Sequence, residues 1–240
     1  MDYDKISEML KTSALLMMVS GLLFGTCASW SIGALFIMSG LLLYISASGF
    51  KAAEDDSKKA SGVLETERLI LRPWCESDAE ELYKYASDPQ VGPIAGWQPH
   101  KSVEESREII RTVFSALETY AVVLKETGKP VGSIGLLFDG HSEVSLKPGE
   151  VEIGYWIGVP YWGQGLIPEA TRELLRHCFE DLECTKVWCG YYNDNVKSKR
   201  VQEKCGFTYD HSEENHYCEL MDEYRTVHLN SITRDVWMRK

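Results

Sequence analysis

The sequence predicts an α/β domain, a mixed sheet with helices on its faces, preceded by an α-helical transmembrane hairpin. Three observations carry this reading. Residues 12–50 form a run of 39 positions without a single Asp, Glu, Lys, Arg or His. From residue 63 onward, strand and helix patterns alternate. Between one of those strands and its following helix, two glycines stand two apart, Gly163 and Gly165. The 240 residues therefore divide into a hairpin (1–50), a small, charged linker (51–62) and an α/β domain (63–240).

A single helix of 39 residues would run ~58 Å, about twice the hydrocarbon core it has to cross. Broken at Ala28-Ser29-Trp30-Ser31, the run gives two spans, 12–28 and 32–48. Each is near the ~17-residue lower limit for a bilayer. Gly21 and Gly25 form a Gly-x-x-x-Gly, which lets two helices approach closely. Trp30 and Tyr44 sit near span ends, where aromatic rings favour the interface. The start, Met1-Asp2-Tyr3-Asp4, lacks the basic region of a secretory signal, and the apolar run is too long for one. Lys5, Lys11, Lys51, Lys58 and Lys59 flank the run while its turn has none. Both termini and the α/β domain are thus expected on the cytoplasmic side, with membrane lipid around residues 12–50.

Within the domain, residues 63–74 read as one partly amphipathic strand. Ser77-Asp78-Ala79-Glu80 has the form of a capping box opening a helix that runs to about Ser87. Residues 102–120 carry Val103, Ile109, Ile110, Val113, Phe114 and Leu117 at helical spacing. Strands are expected at 120–126 and 130–139 around Thr127-Gly128-Lys129, a hairpin signal. A strand at 150–159 and a helix at 166–180 come next, then strand 185–192, helix 195–204, and strands 207–211 and 224–238.

The net charge is -11, from 36 acidic and 25 basic residues, almost all of the imbalance lying after residue 60. Such a body repels phosphate backbones, so nucleic acid is not an expected partner. The charge is compatible with solubility alone or with attraction of a cationic amine. The seven cysteines form no Cys-x-x-Cys pair, so neither a zinc site nor a disulfide framework is indicated and no metal is expected. They read as small buried apolar residues.

Val151-Glu152-Ile153-Gly154-Tyr155-Trp156-Ile157-Gly158 is a buried strand that leads into Trp162-Gly163-Gln164-Gly165-Leu166-Ile167 and then a helix. Glycines let backbone N–H groups approach a ligand, and a first helical turn leaves its amides unpaired, so the segment suits a pyrophosphate. A tight strand–helix turn without a ligand is the alternative. Pro168 in the first helical turn costs little there.

A second segment, about 30 residues on, reads Asn195-Val196-Lys197-Ser198-Lys199-Arg200-Val201-Gln202-Glu203-Lys204-Cys205-Gly206-Phe207. Together the two segments resemble the GNAT acyltransferase superfamily, in the branch similar to the ribosomal-protein N-terminal acetyltransferases. That family joins strand, Gly-x-Gly loop, helix and strand to Asn-x-x-Ser-x-Arg-x-x-Glu-Lys-x-Gly-Phe. Thr66-Glu67-Arg68-Leu69-x-Leu71-Arg72 and residues 231–237 also look like this branch, and the resemblance covers 63–238. Trp162 and Ile167 hold the loop's first and last places, where the family usually has Gln or Arg, and Ala.

The resemblance implies a GNAT acyl-CoA N-acyltransferase fold with a mixed, mostly antiparallel sheet, acetyl-CoA as co-substrate and a primary amine as acceptor. It implies that Tyr155, Trp156, Ile157 and Gly158 pair their backbone with the pantetheine arm. Trp162, Gly163, Gln164, Gly165, Leu166 and Ile167 would hold the pyrophosphate, and Asn195 would hydrogen-bond the pantetheine. Ser198 would protonate the departing thiolate, with Tyr191 and Tyr192 as substitutes. Glu152 would deprotonate the ammonium through water, or else be only a strand residue. Arg200, Glu203 and Lys204 are expected to pair on the helix surface, and Phe207 to lie in the core. The competing classes are a catalytically degenerate acyl-CoA-binding module tethered to a membrane partner, and a membrane interaction protein whose hairpin does the work. The acceptor is open among protein N-termini, polyamines, antibiotics and amino-acid amines, and residues 87–103, rich in Gly and Pro, are expected to shape its pocket.

Overall fold

Alternation along the central strands decides the architecture. In the strand Thr119–Leu124, Tyr120 and Val122 join one apolar cluster and Ala121 and Val123 another, so both faces are buried and both need a covering layer. The computed structural model describes residues 62–138, 142 and 144–239. The expected hairpin at 12–50 lies outside the described residues. Among the described residues no helix is long and apolar enough to cross a membrane.

The strands are β1 (Leu64–Glu65), β2 (Leu69–Pro73), β3 (Thr119–Leu124), β4 (Lys129–Leu137), β5 (Glu150–Ile157), β6 (Lys186–Tyr192), β7 (Thr208–Cys218) and β8 (Glu223–Thr233). They form one sheet in the order β1-β2-β3-β4-β5-β6-β8-β7. The β5–β6 pair is parallel and the other pairs are antiparallel, a mixed, mostly antiparallel sheet as expected. The helices are α1 (Ala79–Ala86), α2 (Val103–Thr112), α3 (Leu166–Arg176), α4 (Val196–Cys205) and α5 (Arg234–Trp237). Leu166, Ala170 and Leu174 of α3 pack on Leu69, Leu71, Val122, Ile134 and Ile153. Ala79, Leu82 and Ala86 of α1 and Ile110 of α2 cover the other face with Trp74 and Val123. Burying each large apolar side chain in these layers contributes roughly 1.5–3 kcal/mol.

Several elements depart from the sequence expectation. Residues 63–74 are two strands, because Thr66 makes a tight turn in which its Oγ1 accepts from the Leu69 amide. The capping box at Ser77 does not form. Asp78 instead accepts from the Cys75 amide at 3.0 Å and takes a bidentate ion pair from Arg72. The helix expected to reach Tyr120 stops at Thr112, since Leu117 would project into solvent and Tyr120 is wanted in the sheet; Ser102 caps it as its position suggests. α3 ends at Arg176 and widens into a π-helical turn, His177–Asp181, that turns the adjacent Cys178 and Phe179 both into the core. β7 extends to Cys218 although its sequence is polar, because it is an edge strand. The last strand gives way at Arg234 to α5, which sets Trp237 against Phe179. The described cysteines are free, and those at 178, 184, 189, 205 and 218 are buried, in keeping with a packing role.

The π-helical turn is held by an ionic knot. His177 Nδ1 lies 2.9 Å from Asp181 and Nε2 lies 3.0 Å from Glu118 at the entry to β3. The hydrogen bond to Glu118 is the main cause that raises the His177 pKa above 6.5, with burial opposing it. A raised folded-state pKa stabilises the fold fully below the ordinary value, and the effect is lost as pH rises through the folded value. Thermal midpoints measured from pH 5 to 9 should therefore carry a decline above about 6.5 that His177→Gln abolishes.

Candidate active site

β5 and β6 run together for three rungs, Glu150↔Lys186, Val151↔Val187 and Glu152↔Trp188, and then separate. β5 continues on β4 and β6 continues on β8. From Ile153 and Cys189 onward, the facing edges have no strand partner. Backbone groups so placed need partners from elsewhere. Trp162 Nε1 donates to the Ile157 carbonyl at 2.9 Å, and Gln202 Nε2 donates to the Gly190 carbonyl at 2.9 Å. The remaining edge of β5 opens on a cleft of about 310 Å³ lined by Tyr155, Trp156 and Ile157.

The same cleft takes in Trp162, Gly163, Gly165, Leu166 and Ile167. Gly163 and Gly165 have φ of 76° and 78°, a left-handed backbone that disfavours side chains. Gly165 is the residue before α3, so the helix's unpaired first amides face the cleft end. The loop is tied to β2. Arg68 Nη1 donates to the Gln164 carbonyl at 3.1 Å, and Glu169 of α3 accepts from the Thr66 hydroxyl and from the Arg68 amide and guanidinium. Two residues expected in this group stand outside the cleft lining. The Gly158 amide is used by the Val131 carbonyl, and its missing Cβ leaves room for Tyr85. The Gln164 side chain turns back to the Pro160 carbonyl.

α4 forms the opposite wall. Asn195 is its N-cap: Oδ1 accepts from the Ser198 amide at 3.1 Å, and Nδ2 donates to the Ile94 carbonyl at 3.2 Å. The Asn-x-x-Ser motif is therefore a helix cap in the first place. Ser198 is buried, with Oγ 2.9 Å from the Tyr155 hydroxyl. Lys197, Arg200 and Lys204, at spacings of three and four, line the cleft, and the Lys197 ammonium lies 3.3 Å from the Trp162 ring centroid. Arg200 and Lys204 thus face the cleft rather than serving only as surface pairs. The helical period could have revealed this basic face.

A second cavity, of about 140 Å³, adjoins the first. Ile94, Ala95, Tyr155, Asn195 and Ser198 line both. The second is also lined by Glu152, 3% exposed and at the last β5–β6 rung, its Oε2 accepting from the Ser142 hydroxyl at 2.7 Å. Beside it a Cβ at Gly190 would stand 3.3 Å from Glu152 Oε1, a tight contact. Tyr191 and Tyr192 line the second cavity but not the first.

The Gly/Pro segment that the sequence left open folds as a 3-10 turn, Pro93–Ala95, pinned over the junction. Arg225 donates to the Pro93 carbonyl at 2.7 Å, Asn195 to that of Ile94, and the Cys218 thiol to that of Gly96. Trp97 and His100 turn inward, Trp97 onto Trp156 and His100 onto the Ser106 hydroxyl. Burial holds the His100 pKa below its ordinary value. Ile94 and Ala95, within the 87–103 segment expected to shape the pocket, are the residues of it that line both cavities.

A split parallel pair, a glycine loop at a helix N-terminus and a basic wall define a site for an extended, phosphate-bearing ligand. Residues 68–208 match the family model of the acetyltransferase (GNAT) domain, and the chain belongs to that family. It is a GNAT-family N-acetyltransferase, with acetyl-CoA as co-substrate. An uncharacterized N-acetyltransferase, p20, of Bacillus licheniformis is 29% identical over 149 residues, 60% of this chain and 81% of that protein. The FsC-acetyl coenzyme A-N(2)-transacetylase of Aspergillus fumigatus is 27% identical over 192 residues, 75% of this chain and 80% of that protein. Among solved structures, the ribosomal-protein-S5-alanine acetyltransferase of Vibrio fischeri shares the fold at a TM-score of 0.58 and 19% identity, over 73% of this chain and 98% of its own.

The basic wall has a direct test. Arg200→Ala combined with Lys204→Ala should weaken acetyl-CoA binding about tenfold at low ionic strength, measured by calorimetry. The deficit should shrink at roughly molar salt, where screening acts over ~3 Å.

Proposed function

We propose that the protein transfers an acetyl group from acetyl-CoA to a primary amine, of a protein N-terminus or a small molecule, by direct attack and on the cytoplasmic side of a membrane. The observation that carries the chemistry is the meeting of two cavities at Ser198 and Tyr155, one running to the glycine loop and basic wall, the other to Glu152. The first suits the coenzyme; the second suits an ammonium arriving at a buried carboxylate.

In this reading the open edge of β5 and Asn195 orient the pantetheine arm, and the loop amides with Lys197, Arg200 and Lys204 hold the phosphates. Glu152 removes a proton from the ammonium, directly or through a water. The neutral amine attacks the thioester carbonyl, a C–N bond forms and the C–S bond breaks. Ser198 gives its proton to the departing thiolate and regains one, through water, from the nitrogen that sheds its extra proton as the amide forms. No acyl group is attached to the protein at any stage. Turnover is read as free thiol with spermidine, an alanine-terminated peptide and an amino-acid amide as acceptors. Glu152→Gln should lower kcat about 10²–10⁴-fold while acetyl-CoA binds as before. A full rate in that variant removes the base assignment.

The membrane side rests on the lysines that flank residues 12–50 and on the cytosolic supply of acetyl-CoA. A hairpin puts residues 3 and 60 on the same, inner face. Single-cysteine labelling of intact cells at residue 3, 30 or 60 should mark position 30 alone from outside. Labelling at 60 overturns the topology.

A further inference from the structure

Gln202 is a fully buried amide in α4, 0% exposed, one helical turn beyond Ser198. A buried amide is costly unless its groups are bonded, and an apolar side chain would fill the same place without that requirement. This one is held at three points. Nε2 donates to the Gly190 carbonyl at 2.9 Å and to Ser198 Oγ at 3.2 Å, and Oε1 accepts from Asn230 Nδ2 at 2.8 Å. The orientation is forced, because the Gly190 carbonyl can only accept and so must face the NH₂ group. Asn230 is itself 4% exposed, and its Oδ1 has no partner. The pair therefore leaves one acceptor unmet in the interior, a cost that packing alone does not explain.

What the arrangement fixes is the Ser198 proton. With a lone pair of Oγ taken by Gln202, the serine hydrogen is confined to the remaining directions around Oγ. Tyr155 keeps its own hydrogen, since burial pushes its phenol well above the ordinary range, and donates it to the Ser198 carbonyl at 3.2 Å. In the arrangement where the Tyr155 hydrogen is on that carbonyl, the 2.9 Å contact between the two hydroxyls takes its hydrogen from Ser198. Both residues line both cavities, so the serine hydrogen lies at the junction.

We infer that Gln202, fixed in its turn by Asn230, is a positioning residue that aims the Ser198 hydroxyl proton at the junction of the two cavities. The inference rests on Ser198 being the acid for the departing thiolate. Replacing the donor by an apolar group frees the hydroxyl to rotate. Replacing it by a carboxylate supplies an acceptor that draws the proton inward.

The test uses the full chain and acetyl-CoA, with turnover read as free thiol. The acceptor is the fastest of the three amines or, if none is used, water in slow hydrolysis. Gln202→Met should lower kcat about tenfold, part of the 10²–10⁴-fold range of a positioned acid, with the KM for acetyl-CoA within about twofold of the parent. Gln202→Glu should approach the parent rate where the buried carboxyl is protonated and can donate, and fall below Gln202→Met as pH rises through its burial-raised pKa, so its profile should lose rate at high pH where the parent's does not. In a Ser198→Ala background, Gln202→Met should cost no more than about twofold further. An equal loss with and without the serine, or a Gln202→Glu profile parallel to the parent's, overturns the positioning role while leaving Ser198 as acid. A full rate in Ser198→Ala alone removes the acid assignment and this inference with it. If the Glu variant does not fold by its thermal midpoint, the Met cycle decides.

Discussion

The separation of β5 from β6 after the Glu152↔Trp188 rung is the constraint on which the site depends. Two parallel strands that part inside a sheet expose backbone donors and acceptors on both facing edges, each worth about 1–3 kcal/mol if buried without a partner. The chain answers on each side differently. On the β6 edge, α4 brings Gln202 to the Gly190 carbonyl. On the β5 edge, Trp162 takes only the Ile157 carbonyl, at the end of the strand. The groups between are left to face the cleft, where an extended amide-bearing chain can pair with them as a further strand. The N-terminal turn of α4 lies against β5 through Ser198 and Tyr155, and Asn195 caps that turn while its other side-chain end holds Ile94.

Much of this was legible because it is locally encoded. Positive φ at Gly163 and Gly165 and the cap at Asn195 are properties of single residues and their neighbours, so the loop and the start of α4 could be read from the chain. The central strands could be read because burial on both faces leaves apolar runs. What failed depended on tertiary surroundings. β7 has no apolar alternation since its outer edge meets solvent, and it exists because β8 offers a ladder. The end of α2 is set by the need for Tyr120 in the sheet rather than by any breaker. Asp78 looked like part of a cap opened by Ser77 and is instead the partner of Arg72 and the Cys75 amide.

The site divides the same way. Glu152 and Ser198 were singled out, through family likeness, as single positions; the structure places each on a cavity wall, and their roles remain the proposal made above. Gln202 carries no motif signal, although its spacing from Ser198 puts it beneath that residue on the same helix face. Ile94 and Ala95 fall in the 87–103 segment expected to shape the pocket, but which of its residues reach the wall leaves no local mark, because the contact is made with a helix about a hundred residues on.

Charge follows a similar logic of place over sum. A protein with a net charge of -11 would repel phosphates at long range. Beyond a Debye length of about 8–10 Å that repulsion is screened, and within it the local groups govern. Lys197, Arg200 and Lys204 line the first cavity with the loop that opens α3, while Glu152 lines only the second. In the proposed reading, a phosphate-bearing donor meets the basic wall and an amine meets the Glu152 carboxyl, so unlike groups at the two cavities would sort the two reactants to opposite sides of Ser198 and Tyr155 before any hydrogen bond to the reacting atoms is made.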